Sequence, residues 1–190
     1  MRICIAQTRS VKGHVERNIR NHLNFVEQAI AHGSQLIVFP ELSLTNYEPS
    51  LAQQFVSDTD DSIFQPFQEL ADNHGITIAL GAPTKAANGL HISMLIFQPK
   101  QERTVYSKQL LHADELPYFV GAENQSCFSI EGTNIGFGIC YETLQLEHFI
   151  NAKEQGAEIY MASVAKSDSG VEKAVKHFSE VSETYNTPIL

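Results

Sequence analysis

Hydrophobic positions along the chain switch repeatedly between continuous runs and helical spacing. Arg2–Gln7 (RICIAQ) opens with a short apolar run that predicts a buried strand. From Val15 to His32, Ile19, Leu23, Val26 and Ile30 recur at helical spacing, and Gly33 is placed to stop the helix. Leu36–Phe39 (LIVF) is apolar throughout, the mark of a strand covered on both faces, and Pro40 ends it. A polar loop follows to about Ala52. Ser62–His74 predicts a second helix, with Asp60, Asp61 and Ser62 as N-cap candidates and Gly75 as its stop. Ile76–Leu80 is the next strand.

The middle of the chain changes character. Leu90–Phe97 and Arg103–Tyr106 flank the polar turn Pro99–Glu102 and predict an antiparallel pair. Lys108–Gln125 reads as a long polar loop. Ser126–Ile130 and Ile135–Ile139 predict a hairpin around Glu131–Asn134, with Cys140 ending its second strand. Leu144–Gln155 reads as a helix, Ala157–Ala162 as a strand and Val171–Asn186 as a helix. The last should pack Val171, Ala174, Val175, Phe178 and Val181 on one side. Pro188-Ile189-Leu190 reads as the start of another buried strand, with the expectation that the natural protein continues beyond Leu190. With no repeat, linker or low-complexity tract, residues 1–190 form one α/β domain with a parallel centre and hairpin edges.

Charge and composition narrow the function classes. At 43% hydrophobic and 18% charged, the 190 residues are ordinary for a soluble globular protein. Thirteen basic against 22 acidic residues give a net charge of −9, which repels phosphate backbones and argues against nucleic acid as a partner. No stretch approaches the roughly 18 apolar residues of a membrane span, and the first residues lack the apolar core of a signal peptide. Cys4, Cys127 and Cys140 stand far apart without CxxC spacing, which predicts free thiols in a reducing, cytoplasmic setting. His112-Ala113-Asp114-Glu115 has no second cluster at metal-ligand spacing, so no metal is expected.

Three chemically complementary residues share one context. Glu41, Lys108 and Cys140 each lie just past the carboxyl end of a predicted strand, the edge where open α/β sheets bind ligands. Gly136 and Gly138 let the strand before Cys140 approach another layer closely. The strand–turn–helix context of Cys140 exposes a nucleophile and favours its thiolate. Singly, each has a plainer reading: a buried inert thiol, a solvated Glu, a snorkelling Lys. Together they supply a nucleophile, a base and a cation, the parts acyl transfer requires. His112 and His148 compete for the base role but lack a clear orienting partner. Cys4 and Cys127, in apolar strands, read as structural.

The motifs FPELSLTNYEP, YSKQLLHADELPYFVGAEN and IGFGICYE, in that order and spacing, resemble the three catalytic motifs of the nitrilase superfamily, the carbon–nitrogen hydrolases. The N-terminal Ala6-Gln7 strand and GAEIYMAS agree, so the resemblance covers essentially the whole chain. It implies an α-β-β-α sandwich, two sheets face to face with helices outside, and C-terminal strands beyond this chain. It implies Glu41 as general base, Lys108 as oxyanion stabiliser and Cys140 as nucleophile, with the Tyr141 backbone N–H as a second oxyanion donor. A supporting loop glutamate is Glu115 by position, with Glu123 as the alternative. The resemblance further implies a small-molecule amide substrate, no cofactor, and a homodimer or higher homo-oligomer. Nitrile, N-carbamoyl and acyl-transfer chemistry would use the same three residues, and a non-catalytic small-ligand or interaction protein with this fold is the competing function class. Two departures stand out: Asn46 holds a position usually occupied by Gly, and YETLQLEHF replaces the Arg-Phe-Pro-Glu run that borders the pocket of many relatives.

Overall fold

The computed structural model describes residues 1–123, 127–166 and 168–190. Two sheets carry the architecture. The first runs in the order β1 (Ile3–Ile5), β2 (Leu36–Val38), β3 (Thr77–Ala86), β4 (Gly89–Phe97) and β5 (Thr104–Ser107). Its first three strands are parallel and its last two antiparallel. The second sheet is β6 (Phe128–Ile130), β7 (Thr133–Ile139) and β8 (Ile159–Ser163), antiparallel then parallel. Helices α1 (Val15–Ala31) and α2 (Gln65–His74) belong to the first half, α3 (Leu146–Glu154) and α4 (Asp168–Tyr185) to the second.

The strand periodicity explains the layering. Leu36 and Val38 point into a core shared with Met94, Ile96, Ile135, Phe137 and Met161, which therefore lies between the two sheets. Ile37 points the other way, into a second core with Val26, Ala29, Phe67 and Ala71 of α1 and α2. A strand buried on both faces needs an unbroken apolar run, as LIVF has. Phe149, Tyr160 and Val181 form a third cluster under α3 and α4. The result is the α-β-β-α sandwich with two sheets face to face. Gly136 and Gly138 admit the outer layer: a Cβ at Gly136 would sit 2.9 Å from Ala152, and one at Gly138 would collide with the Tyr160 hydroxyl. No helix among the described residues is long and apolar enough to cross a membrane.

Several boundaries move for identifiable reasons. β3 does not stop at Leu80 but runs on through Pro83 to Ala86 and turns directly into β4. Pro83 is tolerated because it lies beyond the end of β2, where the missing N–H faces only the short bridge at Ser57. The segment after Asp61 is a 3₁₀ turn, Ser62–Phe64, before α2, and Asp61 is the cap, accepting from Ile63 N at 3.0 Å. The helix expected over Leu144–Gln155 divides into a 3₁₀ turn, Cys140–Leu144, and α3, because Gln145 between them is extended. Residues 124–126, the expected end of the long loop and start of the hairpin strand, lie outside the described residues. The hairpin itself turns on Glu131-Gly132, both at positive φ.

One packing expectation is corrected. On α4, Ala174 and Val181 are buried and Phe178 half-buried, but Val171 and Val175 are exposed. At ~100° per residue, Ala174, Phe178 and Val181 form one seam, with Val171 and Val175 displaced to the same side of it. Past α4, Ile189 bridges Tyr160 in parallel, and Leu190 N bonds Tyr160 O at 3.0 Å, so Pro188–Leu190 pairs with the second sheet, but as a single bridge with Pro188 and Leu190 exposed rather than as a buried strand.

Candidate active site

The loop carrying Glu41 is fixed from beneath. Phe39 N bonds Ala79 O at 2.8 Å and Leu44 N bonds Gly81 O at 3.0 Å, so residues 40–43 arch over β3 at Gly81. A Cβ on Gly81 would collide with the Pro40 carbonyl oxygen and the Leu42 nitrogen. His22 supports the same arch from α1. Its Nδ1 donates to Asn18 O at 2.7 Å, so its Nε2 is the acceptor for the Ser43 hydroxyl at 2.9 Å. Ser43 Oγ in turn accepts from Gly81 N at 3.2 Å. Burial drives the His22 pKa down to about 4, so the ring stays neutral, as this network requires. Asn46, in the position usually held by Gly, has φ +68°, a left-handed angle Asn tolerates.

Lys108 follows β5, its backbone tied to Ile92 O at 2.8 Å and to Ala122 N at 2.9 Å. Its ammonium lies 2.8 Å from Glu41 Oε1 and 2.6 Å from Glu115 Oε1, and all three side chains are buried. The loop glutamate that reaches Lys108 is Glu115; Glu123 is exposed. Glu115 is itself held, accepting from His112 N at 2.7 Å and from the Tyr47 hydroxyl at 3.1 Å.

Cys140 ends β7 at φ +49°, a strained angle for a residue with a Cβ. Thr143 Oγ steadies the turn by donating to Cys140 O at 2.6 Å. The sulfur lies 3.7 Å from Lys166 Nζ and 3.8 Å from Ala165 O, just past β8. The structure thus brings Glu41, Lys108, Glu115 and Cys140 to one edge of the sandwich from three strand ends and a loop.

Electrostatics divides the roles. Burial raises the Glu41 pKa to about 7 against the opposing pull of Lys108, with the Glu115 charge adding to the rise. Burial and then the Glu41 charge push the Cys140 thiol up to about 11, while Lys108 and Lys166 pull it down. Burial works against the Lys108 charge, but the two carboxylates outweigh it and its pKa lies above the ordinary value. Glu41 Oε2 is buried with no hydrogen-bond partner among the described residues, and the Cys140 thiol is among the groups that act on the Glu41 carboxyl.

A second network supports the turn at Cys140. Glu142, fully buried, accepts from Ile139 N at 2.7 Å and the Tyr106 hydroxyl at 2.7 Å on one oxygen. The other accepts from Gln109 N at 2.7 Å and Leu110 N at 3.1 Å. One carboxylate therefore joins the residue before Cys140 to the residues after Lys108. His148 belongs here, between the Tyr106 and Tyr160 hydroxyls at 2.9 and 2.7 Å, and burial lowers its pKa. His112 is exposed beside Asp114. Among the described residues neither ring hydrogen-bonds Cys140 or Glu41. Cys4 and Cys127 are free, half-buried thiols whose pKa burial raises. Among the described residues, no three His, Cys, Asp or Glu side chains are grouped to hold a metal ion.

Sequence reading did not single out Tyr47, Glu142, Lys166 or His22. Tyr47 and Glu142 sit within the quoted motifs, which was the available signal; Lys166 and His22 act through tertiary contacts alone. Glu41, Asn46, Tyr47, Ala165 and Lys166 line a polar cleft of about 200 Å³.

This fold and site define a class. The sequence model of the carbon-nitrogen hydrolase family matches residues 2–183, and the chain belongs to that family. Among curated proteins it is similar to the glutamine-dependent NAD(+) synthetases of Xylella fastidiosa and Thermotoga maritima. The first is 28% identical over 171 residues, covering 85% of this chain and 31% of the relative. The second is 26% identical over 147 residues, covering 74% and 25%. The chain thus spans about a third or less of the length of these relatives. Among solved structures, an amidase of the nitrilase superfamily from Nesterenkonia sp. AN1 superposes at TM-score 0.78 and 22% identity, covering 91% of this chain and 69% of that one. Glutamine-dependent NAD+ synthetase from Acinetobacter baumannii superposes at 0.86 and 18% identity, covering 99% and 37%.

Proposed function

We propose that this chain hydrolyses the C–N bond of a small amide through a thioester on Cys140. The observation that carries the reading is the convergence at one sheet edge of the Cys140 thiol, the buried Glu41 carboxyl with one oxygen unpaired among the described residues, and Lys108 at 2.8 Å from the other oxygen. Glu41 takes the Cys140 proton as the sulfur attacks the amide carbonyl. Lys108 and the Tyr141 backbone N–H stabilise the tetrahedral oxyanion. The C–N bond breaks and the amine leaves with the proton from Glu41. Glu41 then draws a proton from water, which attacks the thioester and releases the acid and the thiol. A base with a pKa of about 7 suits both transfers at neutral pH. Glu115 positions Lys108 and favours its charged form.

The comparisons favour an amide over a nitrile or carbamoyl substrate. The similar curated proteins are named for their dependence on glutamine, itself an amide, and the amidase neighbour carries an active-site cysteine that reacts with acrylamide. The test is ammonia release over a panel of short amides, nitriles and carbamoyl amino acids. Wild type is expected to release ammonia from amides and Cys140→Ser and Glu41→Gln to lose it. Turnover unchanged by either substitution refutes the mechanism. A non-catalytic binder would show three slowly alkylated cysteines rather than one fast one.

A further inference from the structure

The proposed chemistry leaves the buried His148 unused. It lies in the first turn of α3, and its ring sits between two phenol oxygens, Nε2 at 2.9 Å from Tyr106 and Nδ1 at 2.7 Å from Tyr160. Counting donors fixes which nitrogen carries the hydrogen. Tyr106 has one hydroxyl hydrogen, which goes to Glu142 Oε1 at 2.7 Å, because the reverse would set a bare phenol oxygen against a carboxylate oxygen. The Tyr106 oxygen is therefore an acceptor, from His148 Nε2–H and from Gln109 Nε2 at 3.2 Å. Glu142 Oε2, 3.5 Å from His148 Nε2, also favours a hydrogen on that nitrogen. Nδ1 is then bare and accepts from the Tyr160 hydroxyl, which among the described residues has no other hydrogen-bond partner. Donation runs one way, from Tyr160 to His148 to Tyr106 to Glu142.

Both ends of this chain bear on the strand that leads to Cys140. Glu142 accepts from Ile139 N at 2.7 Å. The Tyr160 hydroxyl lies against Gly138, where a Cβ would collide with it. Gly138 and Ile139 are the two residues before Cys140, whose backbone holds φ +49°. One ring thus joins the two tyrosines that brace the end of β7. A second ring hydrogen, on Nδ1, would strip the Tyr160 hydroxyl of its acceptor in a buried position.

We infer that His148 is a positioning residue for Cys140: in its Nε2–H tautomer it ties Tyr160 and Tyr106 into the Glu142 network and so fixes the turn from which the thiol attacks. This rests on the amide-hydrolysing reading above, so two of the three measurements need no turnover. First, long-range proton–nitrogen NMR spectra of the whole protein at neutral pH should show His148 with a bare Nδ1 and a protonated Nε2, assigned by their loss in His148→Gln; an Nδ1–H tautomer or an imidazolium overturns the inference. Second, amide hydrogen exchange at Ile139 should quicken about tenfold in His148→Leu, the size of one hydrogen bond, while amides of β4 keep their protection. His148→Gln, whose side-chain NH₂ can replace the donor to Tyr106, should retain most of the Ile139 protection. Third, kcat for an amide should fall about tenfold in His148→Leu with KM unchanged, and largely recover in His148→Gln. Wild-type exchange at Ile139 or wild-type kcat in His148→Leu overturns the inference. If His148→Leu does not fold, the wild-type tautomer decides. If wild type turns over no amide, the amide reading falls, and the tautomer and the Ile139 protection alone decide whether His148 holds the turn.

Discussion

Replacing Glu142 with Gln tests how the site is held. The carboxylate accepts four hydrogen bonds at 2.7 to 3.1 Å, three from backbone N–H groups, in a fully buried position. An amide keeps the shape but offers one acceptor oxygen. If that oxygen stays on Ile139 and Tyr106, the new NH₂ faces Gln109 N and Leu110 N, donor against donor; reversed, it faces Ile139 N. An orphaned buried donor costs about 1–3 kcal/mol, so the variant should lose roughly 2–5 kcal/mol. For a chain of this size each kcal/mol lowers Tm by about 2–4 °C, giving a fall of roughly 4–20 °C by circular dichroism. Because the lost bonds lie directly before Cys140 and after Lys108, activity measured well below the new Tm should fall as well. A Tm within 2 °C of wild type with full activity would refute the positioning role argued from these bonds.

Other expectations follow from the same geometry. The kcat/KM profile should have an acid limb near pH 7, because Glu41 must be ionised to take the thiol proton and its pKa is raised to about 7; a limb near pH 4.5 would contradict this. His22 is held neutral with its pKa lowered to about 4, so the unfolded chain binds the extra proton between about pH 6.5 and 4. Stability is thus lost as pH falls through that window, by up to about 3 kcal/mol, and urea unfolding of His22→Gln should lack this component. Gly81→Ala should cost about 1–3 kcal/mol and displace the Glu41 arch, since its Cβ meets backbone rather than a flexible side chain; wild-type melting and turnover would count against that contact.

The parts of the structure legible in the sequence were those encoded locally. LIVF announces a doubly covered strand because both faces must be apolar, and Gly33 and Gly75 mark helix ends where φ turns positive. Glu41, Lys108 and Cys140 were found because each follows an apolar run, and strand ends converge in this fold. The extension of β3 through Pro83 was not legible, since whether proline breaks a strand depends on which neighbour strand has already ended. The helical spacing of Val171 and Val175 was real, but which side of α4 meets α3 is set by the partner surface. Lys166 and Glu142 were hidden for a similar reason. A lysine after a strand and a glutamate in a turn are ordinary solvated residues until the fold closes around them.

The proposed mechanism requires a covalent thioester at Cys140, formed with Glu41 as base. Its most direct test is intact-protein and peptide mass spectrometry of the protein mixed rapidly with a turned-over amide and quenched in acid. The expected result is an added mass equal to the acyl group on the Cys140 peptide, absent in Cys140→Ala and slow to form in Glu41→Gln. Amide hydrolysis that persists in Cys140→Ala, with no acyl adduct on wild type, would contradict it.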